Sequence, residues 1–441
     1  MFWLIFAVLA FLSLLPNLEK YPFKNEESLR NLVAFEMWHS REYIQPTLLG
    51  EPYFNKPPLF NWLIVLYAQI FSWDELVGRM VSLTSLLMTL LLIGFFSYFL
   101  FKKLETALLS ALIFITFGNV LFFYGYLAEI DMLLTFLLFL GLCSIYLWWD
   151  RDKSLFAMAG GLVFGFSALL KGFPSYAFLF FSLLALALHF RKVKLLVSKG
   201  ALLLYTLSLL PPIAWLILTP KPILYLLNLW RESFDRVHGD FSRLQHFFMY
   251  PLTNLKDLLP WSLLFLLALY NLRGRLSFPS PIRFLSLLFL LNYIPYWFSN
   301  SAGRYILPLY PILSLIFSFY IGEVLQNRGF KKLLVGALAL TVSLRLLYGL
   351  FYFPYKGQGE TSRKKIARDM ISLIDLRKDI ACECPEEKSL CLYIGLERGK
   401  PLKRLSQSPN AEYAVACNRR IGKPVKEYLL KDKVVSLESL N

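Results

Sequence analysis

Apolar runs of about 17 to 25 residues recur from residue 1 to about residue 354, each long enough to cross a hydrocarbon core as a helix. Within lipid every backbone amide must find its partner inside the chain, which a helix provides locally. The repetition points to an all-α polytopic membrane protein before any motif is considered. Composition agrees: 57% of the 441 residues are hydrophobic and only 17% are charged, where a soluble chain carries about a quarter charged residues.

The formal net charge is +16, yet the basic residues form no stripe of the kind nucleic acid requires, and no nucleic-acid partner is expected. They gather in short clusters between apolar runs, where they set topology and meet anionic membrane lipids. The clusters are Lys102-Lys103, Arg151 with Lys153, Arg191-Lys192 with Lys194, Arg273 with Arg275 and Arg283, and Arg328 with Lys331-Lys332. Each follows one run and precedes the next, so the positive-inside rule assigns all of them to the cytoplasm. The alternate connections, near 127–131, 171–173, 219–248 and 299–304, then lie outside.

Spans are expected near 77–101, 104–126, 132–149, 155–170, 174–190, 197–218, 249–270, 284–299, 305–322 and 333–353. A first helix precedes them in "MFWLIFAVLAFLSLLP", which lacks the basic start and small-residue cleavage site of a signal peptide. The uncharged run 57–73 sits at the lower limit for spanning. It either crosses or lies flat along the outer interface. From about residue 357 the sequence turns polar and mixed in period, and a small soluble α/β domain is expected over 357–441.

Cys143 lies in an apolar span and reads as a small core residue. Cys382, Cys384, Cys391 and Cys417 admit two disulfides in three pairings, free thiols, or zinc held by the C-x-C start.

Ionisable groups at membrane depth cost several kcal/mol without a partner, so they mark candidate sites. "YGYLAEIDMLLTF" carries Glu129 and Asp131, and "SALLKGFPSYAF" carries Lys171 in a hairpin too short for a free loop. "RESFDRVHGDFSRLQH" offers Arg231, Arg236, Arg243, His238 and His246 on a face where basic clusters are unusual, and "NSAGRYILPLYPILSL" adds Arg304. Carboxylates suit a base that deprotonates an acceptor, and cations suit a phosphate leaving group. A transporter would be expected to bury charge near mid-membrane within broken helices. Here the span centres are nearly free of charge, Arg345 being the main exception.

The stretch "NEESLRNLVAFEMWHSREYIQPTLLGEPYFNKPPLFNWL" resembles the first outer loop of GT-C membrane glycosyltransferases, those related to aminoarabinose lipid A transferases and protein O-mannosyltransferases. Its Y-F-x-K-P-P segment is the specific part. "AEIDMLLTFLLFL", "ALLKGFP", "LLPWSLL" and "RYILPLYPILSL" resemble later segments of that family in consistent order, through about residue 325. The resemblance implies a GT-C fold of about eleven spans plus a horizontal helix at 57–73, with a catalytic domain over 1–356 and its outer-face loop at 17–57. It also implies the cytoplasmic (inner) membrane as location, with the N-terminus inside and the 357–441 domain extracytoplasmic.

On activity, it implies a glycosyltransferase that moves a sugar from a polyprenyl-phosphate-linked donor to a lipid, protein or glycan acceptor. The rival is a polyprenyl-lipid binding or transport protein without enzyme activity. Glu26 and Asp131 are then the expected catalytic acids, and Lys56, Arg304, Arg243, Arg236 and Lys171 the phosphate-binding cations. Glu27, Tyr53, Asn55, Glu129 and His238 are further candidates. Three positions depart from the family pattern. Glu26 stands for its Asp, Asn55 for the acid before its Lys, and Arg243 falls near the His of its metal site. A divalent metal is therefore left open, with Asp131 and His238 as candidate ligands.

Overall fold

The computed structural model describes residues 2–234, 242–299, 301–359, 362–375, 378–430 and 433–440. Helix α1 (Phe2–Leu12) leads into α2 (Asn25–Ser40), a hairpin of β1 (Thr47–Leu48) and β2 (Glu51–Pro52), and α3 (Leu59–Tyr67). Then come α4 (Glu75–Phe101), α5 (Leu104–Ile115), α6 (Ile130–Arg151), α7 (Ser154–Lys171), α8 (Phe173–Phe190) and α9 (Lys199–Leu218). The apolar part closes with α10 (Pro222–Phe234), α11 (Ser242–Asp257), α12 (Trp261–Asn271), α13 (Ser280–Phe298), α14 (Tyr310–Val324), α15 (Arg328–Leu347) and α16 (Phe353–Gln358).

Among the described residues, seven helical segments are long and apolar enough to cross a membrane, or eight if one bent pair counts as a single span. The expected number of about eleven is reached only by adding the shorter α1 and α5 and the helix α13. Two expected spans are broken. The run 104–126 stops as an α-helix at Ile115 and continues through a π-helical turn at Val120–Tyr124. The run 249–270 splits into α11 and α12, which meet at 93°. Such breaks inside a membrane protein are tolerated where neighbouring groups take up the freed amides. Here Gly118 donates its amide to the Leu259 carbonyl at 2.9 Å, so each break mends the other.

Helix α3 is nine residues long and therefore about 14 Å, half of what a hydrocarbon core requires. By itself this helix is too short to cross. Gly172 separates α7 from α8 at φ +75, a conformation that spares a Cβ clash only for glycine. Lys171 consequently ends one helix while the next begins two residues later.

The tail holds α17 (Arg363–Ser372), β3 (Ile380–Glu383), α18 (Lys388–Arg398), β4 (Tyr413–Cys417), β5 (Lys423–Leu430) and β6 (Lys433–Ser439). The sheet order is β3-β4-β6-β5, with β3 and β4 parallel and the other pairs antiparallel. Disulfides join Cys382 to Cys391 and Cys384 to Cys417, resolving the alternatives that the spacing left open. Phe23, Leu32, Phe35 and Leu49 from the first loop share a buried cluster with Ile366, Met370, Leu390 and Leu392 of the tail. Polar contacts add to it: Lys364 donates to the buried Glu75 at 2.8 Å, and Tyr393 donates to Glu75 at 3.0 Å.

Candidate active site

Helix α2 presents three faces. Glu26, Leu29 and Arg30, spaced one helical turn apart, line a cavity of about 310 Å³. Glu27 looks toward α4, and Leu32 and Phe35 toward the tail. The hairpin is held to the same helix by the buried Glu36 carboxylate, which accepts from the Thr47 hydroxyl and Leu49 amide at 2.6 Å and the Gly50 amide at 3.2 Å. Burial pushes the Glu36 carboxyl up from its ordinary value. Just past the hairpin, Tyr53, Asn55 and Lys56 enter the cavity wall. Glu129 caps α6, Asp131 sits in its first turn, Lys171 ends α7, and Arg304 with Tyr305 comes from the turn before α14.

Eight residues read separately from the sequence thus meet in one cavity: Glu26, Tyr53, Asn55, Lys56, Glu129, Asp131, Lys171 and Arg304. Its acids are all paired. Arg30 contacts Glu26 at 3.1 Å, Lys171 contacts Asp131 at 2.9 Å, and Arg304 contacts Glu129 at 3.2 Å. The Lys171 ammonium also lies 4.5 Å from the Tyr305 ring centre, a cation–π arrangement that fixes its direction. Arg30 donates to the Tyr53 hydroxyl at 3.0 Å, so Tyr53 orients a cation of the wall. Asp131 lies at the positive end of its helix, which favours an anion there. Glu129, just outside that helix, is pushed up to about 8 by burial and by the neighbouring Asp131, against the pull of Arg304.

Some expectations turn out otherwise. Glu27 does not face the cavity. Its fully buried carboxylate takes the Arg79 Nε at 2.8 Å, a second Arg79 nitrogen at 2.9 Å and the Ala128 amide at 2.9 Å. A buried guanidinium needs such a partner, so Glu27 is a folding residue. Arg236 and His238 lie outside the described residues, and so does the side chain of Arg243 on α11. Arg30 and Tyr305 are cavity residues that the sequence reading missed. Arg30 carried a signal, one turn after Glu26 on an amphipathic helix, and Tyr305 adjoins Arg304.

Among the described residues, which leave out the candidate ligand His238, the donor set of the cavity does not suit a divalent cation. Each carboxylate of the cavity is engaged by a guanidinium or ammonium, and the position before Lys56 is the neutral Asn55. Among the described residues the one cluster with ligand spacing is Cys384, Glu386 and Cys417, whose two sulfurs are joined to each other.

Comparison with known proteins bears on this arrangement. Residues 55–217 match the family model described as dolichyl-phosphate-mannose-protein mannosyltransferase. The undecaprenyl phosphate-alpha-4-amino-4-deoxy-L-arabinose arabinosyl transferase of Erwinia tasmaniensis is 26% identical over 350 residues, covering 75% of this chain and 63% of its own. The protein of that name from Pseudomonas paraeruginosa is 28% identical over 324 residues, covering 70% and 58%. The chain thus spans less than two thirds of the curated relatives it matches. A crystal structure of ArnT from Cupriavidus metallidurans bound to undecaprenyl phosphate superposes with a TM-score of 0.68 at 14% identity, over 99% of this chain and 97% of that one. The apo form gives 0.67 at 16% identity, over 98% and 96%. In fold and in sequence, the membrane-embedded chain is similar to GT-C glycosyltransferases of the aminoarabinose-transferase type.

Proposed function

We propose that the chain is a glycosyltransferase of the cytoplasmic membrane, moving a sugar from a polyprenyl-phosphate-linked donor to an acceptor on the extracytoplasmic face. The observation that carries this reading is the set of three acid–cation pairs around one cavity. A donor phosphate entering it can take Lys171, Arg304 and Lys56 as partners, since charge-assisted bonds to phosphate are strong and ammonium and guanidinium both make them. Lys171 turning to the phosphate frees Asp131 of its partner, and a freed carboxylate is a base.

Asp131, or Glu26 across the cavity, then accepts the proton of the acceptor nucleophile as that atom attacks the anomeric carbon. The new bond forms opposite the breaking bond to the phosphate oxygen, so the carbon inverts in a single displacement. The electron pair leaves on the polyprenyl phosphate, its charge held by the same cations. Glu129, retaining its proton at neutral pH, spares the phosphate a third negative neighbour. The names of the relatives favour an undecaprenyl carrier and an amino-pentose as donor, with a lipid, protein or glycan as acceptor. In this reading residues 1–356 do the chemistry and 357–441 stand outside, with the N-terminus in the cytoplasm.

The test is transfer by the purified full chain in nanodiscs, supplied with undecaprenyl-phosphate-linked aminoarabinose. Release of undecaprenyl phosphate that depends on Asp131 supports the reading. Tight donor binding without turnover, unchanged in Asp131→Asn, would make the chain a lipid-binding protein instead.

A further inference from the structure

An apolar slot of about 340 Å³ lies between α8 and α9. Leu179, Phe180, Leu183 and Leu184 of the first helix line it, with Tyr205 of the second and Leu196 of the turn that joins them. Its origin is in the sequence. Gly161 and Gly165 let α9 press on α7, since a Cβ on them would stand 2.6 Å from the Leu204 carbonyl oxygen and 2.7 Å from Pro211 Cδ. With α9 held to α7, a gap is left beside α8.

Two tyrosines close the ends of that gap. The Tyr176 hydroxyl donates to the Ser208 carbonyl at 2.9 Å, a group set free because Pro212, four residues on, has no amide to offer it. The Tyr205 hydroxyl donates to the Leu196 carbonyl at 3.2 Å. From Tyr176 to Leu184 the slot follows α8 for about 12 Å. That is close to the depth of one leaflet, half of a hydrocarbon core of about 30 Å.

The end at Leu196 is strongly basic. Residues 191–199, "RKVKLLVSK", hold Arg191, Lys192, Lys194 and Lys199 and no acid. All four are exposed, and among the described residues none of them makes an ion pair. Lys192 donates to the Trp149 carbonyl at 3.2 Å, and in the connection that follows Trp149 the acids Asp150 and Asp152 are offset by Arg151 and Lys153. Val193 and Val197 of the same turn are 62% and 88% exposed. Exposed apolar side chains and cations in one short turn fit the level where acyl chains give way to headgroups. That level is the far one. Helix α8 starts two residues after Lys171, and its 18 residues rise about 27 Å, so the basic turn lies nearly a hydrocarbon thickness from the first cavity.

We infer that the slot holds one acyl chain of an anionic phospholipid from the leaflet opposite the first cavity, its phosphate resting on Arg191, Lys194 and Lys199. A donor whose phosphate sits in the first cavity is held at the other face, so this lipid is not the donor, and the inference stands whether or not the chain is a transferase. Ammonium and guanidinium groups both bind phosphate, whereas a zwitterionic headgroup would bring its own cation among them. The second acyl chain stays in the bilayer. A lipid that binds only the folded chain stabilises it, so the melting temperature should depend on which phospholipid is supplied.

The test adds phosphatidylglycerol with a photoreactive acyl chain to the full chain in detergent. Crosslinks should fall on α8, Leu196 and Tyr205, and unlabelled phosphatidylglycerol should displace the probe at about a tenth or less of the concentration that phosphatidylcholine needs. Arg191→Gln/Lys194→Gln/Lys199→Gln should weaken the probe by about tenfold or more, the loss of at least one charge-assisted hydrogen bond. Arg328→Gln/Lys331→Gln/Lys332→Gln removes as many exposed charges from another basic cluster and should leave binding unchanged. Leu184→Trp fills the slot, keeps every charge, and should also weaken the probe. Both slot variants should lose the rise in melting temperature that phosphatidylglycerol gives the wild type.

Equal loss in the two triple variants reduces the effect to general surface charge and overturns the inference, as do crosslinks away from the slot. Full retention of the probe in Leu184→Trp overturns it as well, because the acyl chain then lies elsewhere. Displacement by undecaprenyl phosphate in preference to phosphatidylglycerol assigns the slot to the polyprenyl carrier and likewise overturns it. Should the triple variant at Arg191 fail to fold, the crosslink map and Leu184→Trp decide the matter.

Discussion

A Glu27 carboxylate oxygen accepts the Ala128 backbone amide at 2.9 Å, across 101 residues of chain. The same group holds Arg79, which in turn donates to the Leu18 and Tyr21 carbonyls at 2.6 and 2.7 Å. One carboxylate therefore fixes helix α2, which carries Glu26, to α4 and to the segment that leads into Glu129 and Asp131. Neighbouring acids in the sequence have separate duties. Glu27 sets the distance across the cavity, and Glu26 lines it.

Removing Glu27 should unfold what removing Glu26 leaves standing. Glu27→Ala strands a fully buried guanidinium, a loss of about 3 to 5 kcal/mol, and thermal melting in detergent should show a large drop. Glu26→Gln removes charge only from a partly exposed carboxylate, and the buried Arg30 keeps its hydrogen bond to the Tyr53 hydroxyl, so it should melt well above Glu27→Ala while losing transfer. Similar melting for both would remove Glu27 from its structural role.

Asp131→Asn keeps the size of the side chain and removes the base. Turnover should fall by about 10² or more with donor binding nearly preserved, while melting should drop because the largely buried Lys171 loses its charged partner. Glu26→Asp shortens the arm by a methylene and should be impaired less than Glu26→Gln. Near-normal transfer in both Asp131→Asn and Glu26→Gln would leave no carboxylate mechanism.

Lys56→Ala should weaken donor binding by roughly ten- to a hundredfold, as a charge-assisted hydrogen bond to phosphate is worth about 1.5 to 3 kcal/mol. Lys56→Arg should restore part of it, since guanidinium binds phosphate with a different reach. Titration with undecaprenyl phosphate gives the answer directly, and unchanged affinity in Lys56→Ala takes this lysine out of the site.

Glu129 gives a pH signature. Its folded value is about 8 against a reference of 4.5, so between those values the folded chain holds a proton that the unfolded chain has lost. Stability should therefore fall as pH rises from about 4.5 and level off above about 8. Glu129→Gln should flatten that part of the profile of melting temperature against pH. A variant whose slope over this window matches wild type would mean that Glu129 is ionised throughout.

Sidedness can be tested with single cysteines. Positions between 40 and 46 and position 423 should react with an impermeant thiol reagent from one side. Lys103→Cys should react only after permeabilisation, because the proposed topology puts Lys103 on the opposite face. Labelling of the first loop and the tail from different sides would be incompatible with the apolar cluster they share.

Much of the site was legible because the chemistry that makes it useful also makes it conspicuous. Charges such as Asp131, Lys171 and Arg304 interrupt long apolar runs, and an interruption at membrane depth needs a partner. What the sequence withheld was pairing. Nothing local says that Lys171 faces Asp131 while Arg304 faces Glu129, since those contacts depend on how α6, α7 and the turn before α14 pack. Arg79 was overlooked although it is the one basic residue of a long apolar helix, which was itself a signal. Hydropathy alone also joined α11 to α12, because an average over the run does not register the 93° bend between them. The cysteine pairing was open for a simpler reason: spacing alone does not choose among three connectivities.

The cluster that Phe23, Leu32, Phe35 and Leu49 share with the tail also bears on how such a chain can be recombined. Cutting at residue 357 would expose that apolar surface and deprive Glu75 of the Lys364 ammonium and the Tyr393 phenol. A tail grafted from a relative would meet a first loop shaped for another surface, and the misfit would reach Lys56 through the hairpin. Exchange between relatives should succeed only when residues 17–57 travel with 357–441 as one inherited pair, even though some 300 residues of membrane helix lie between them.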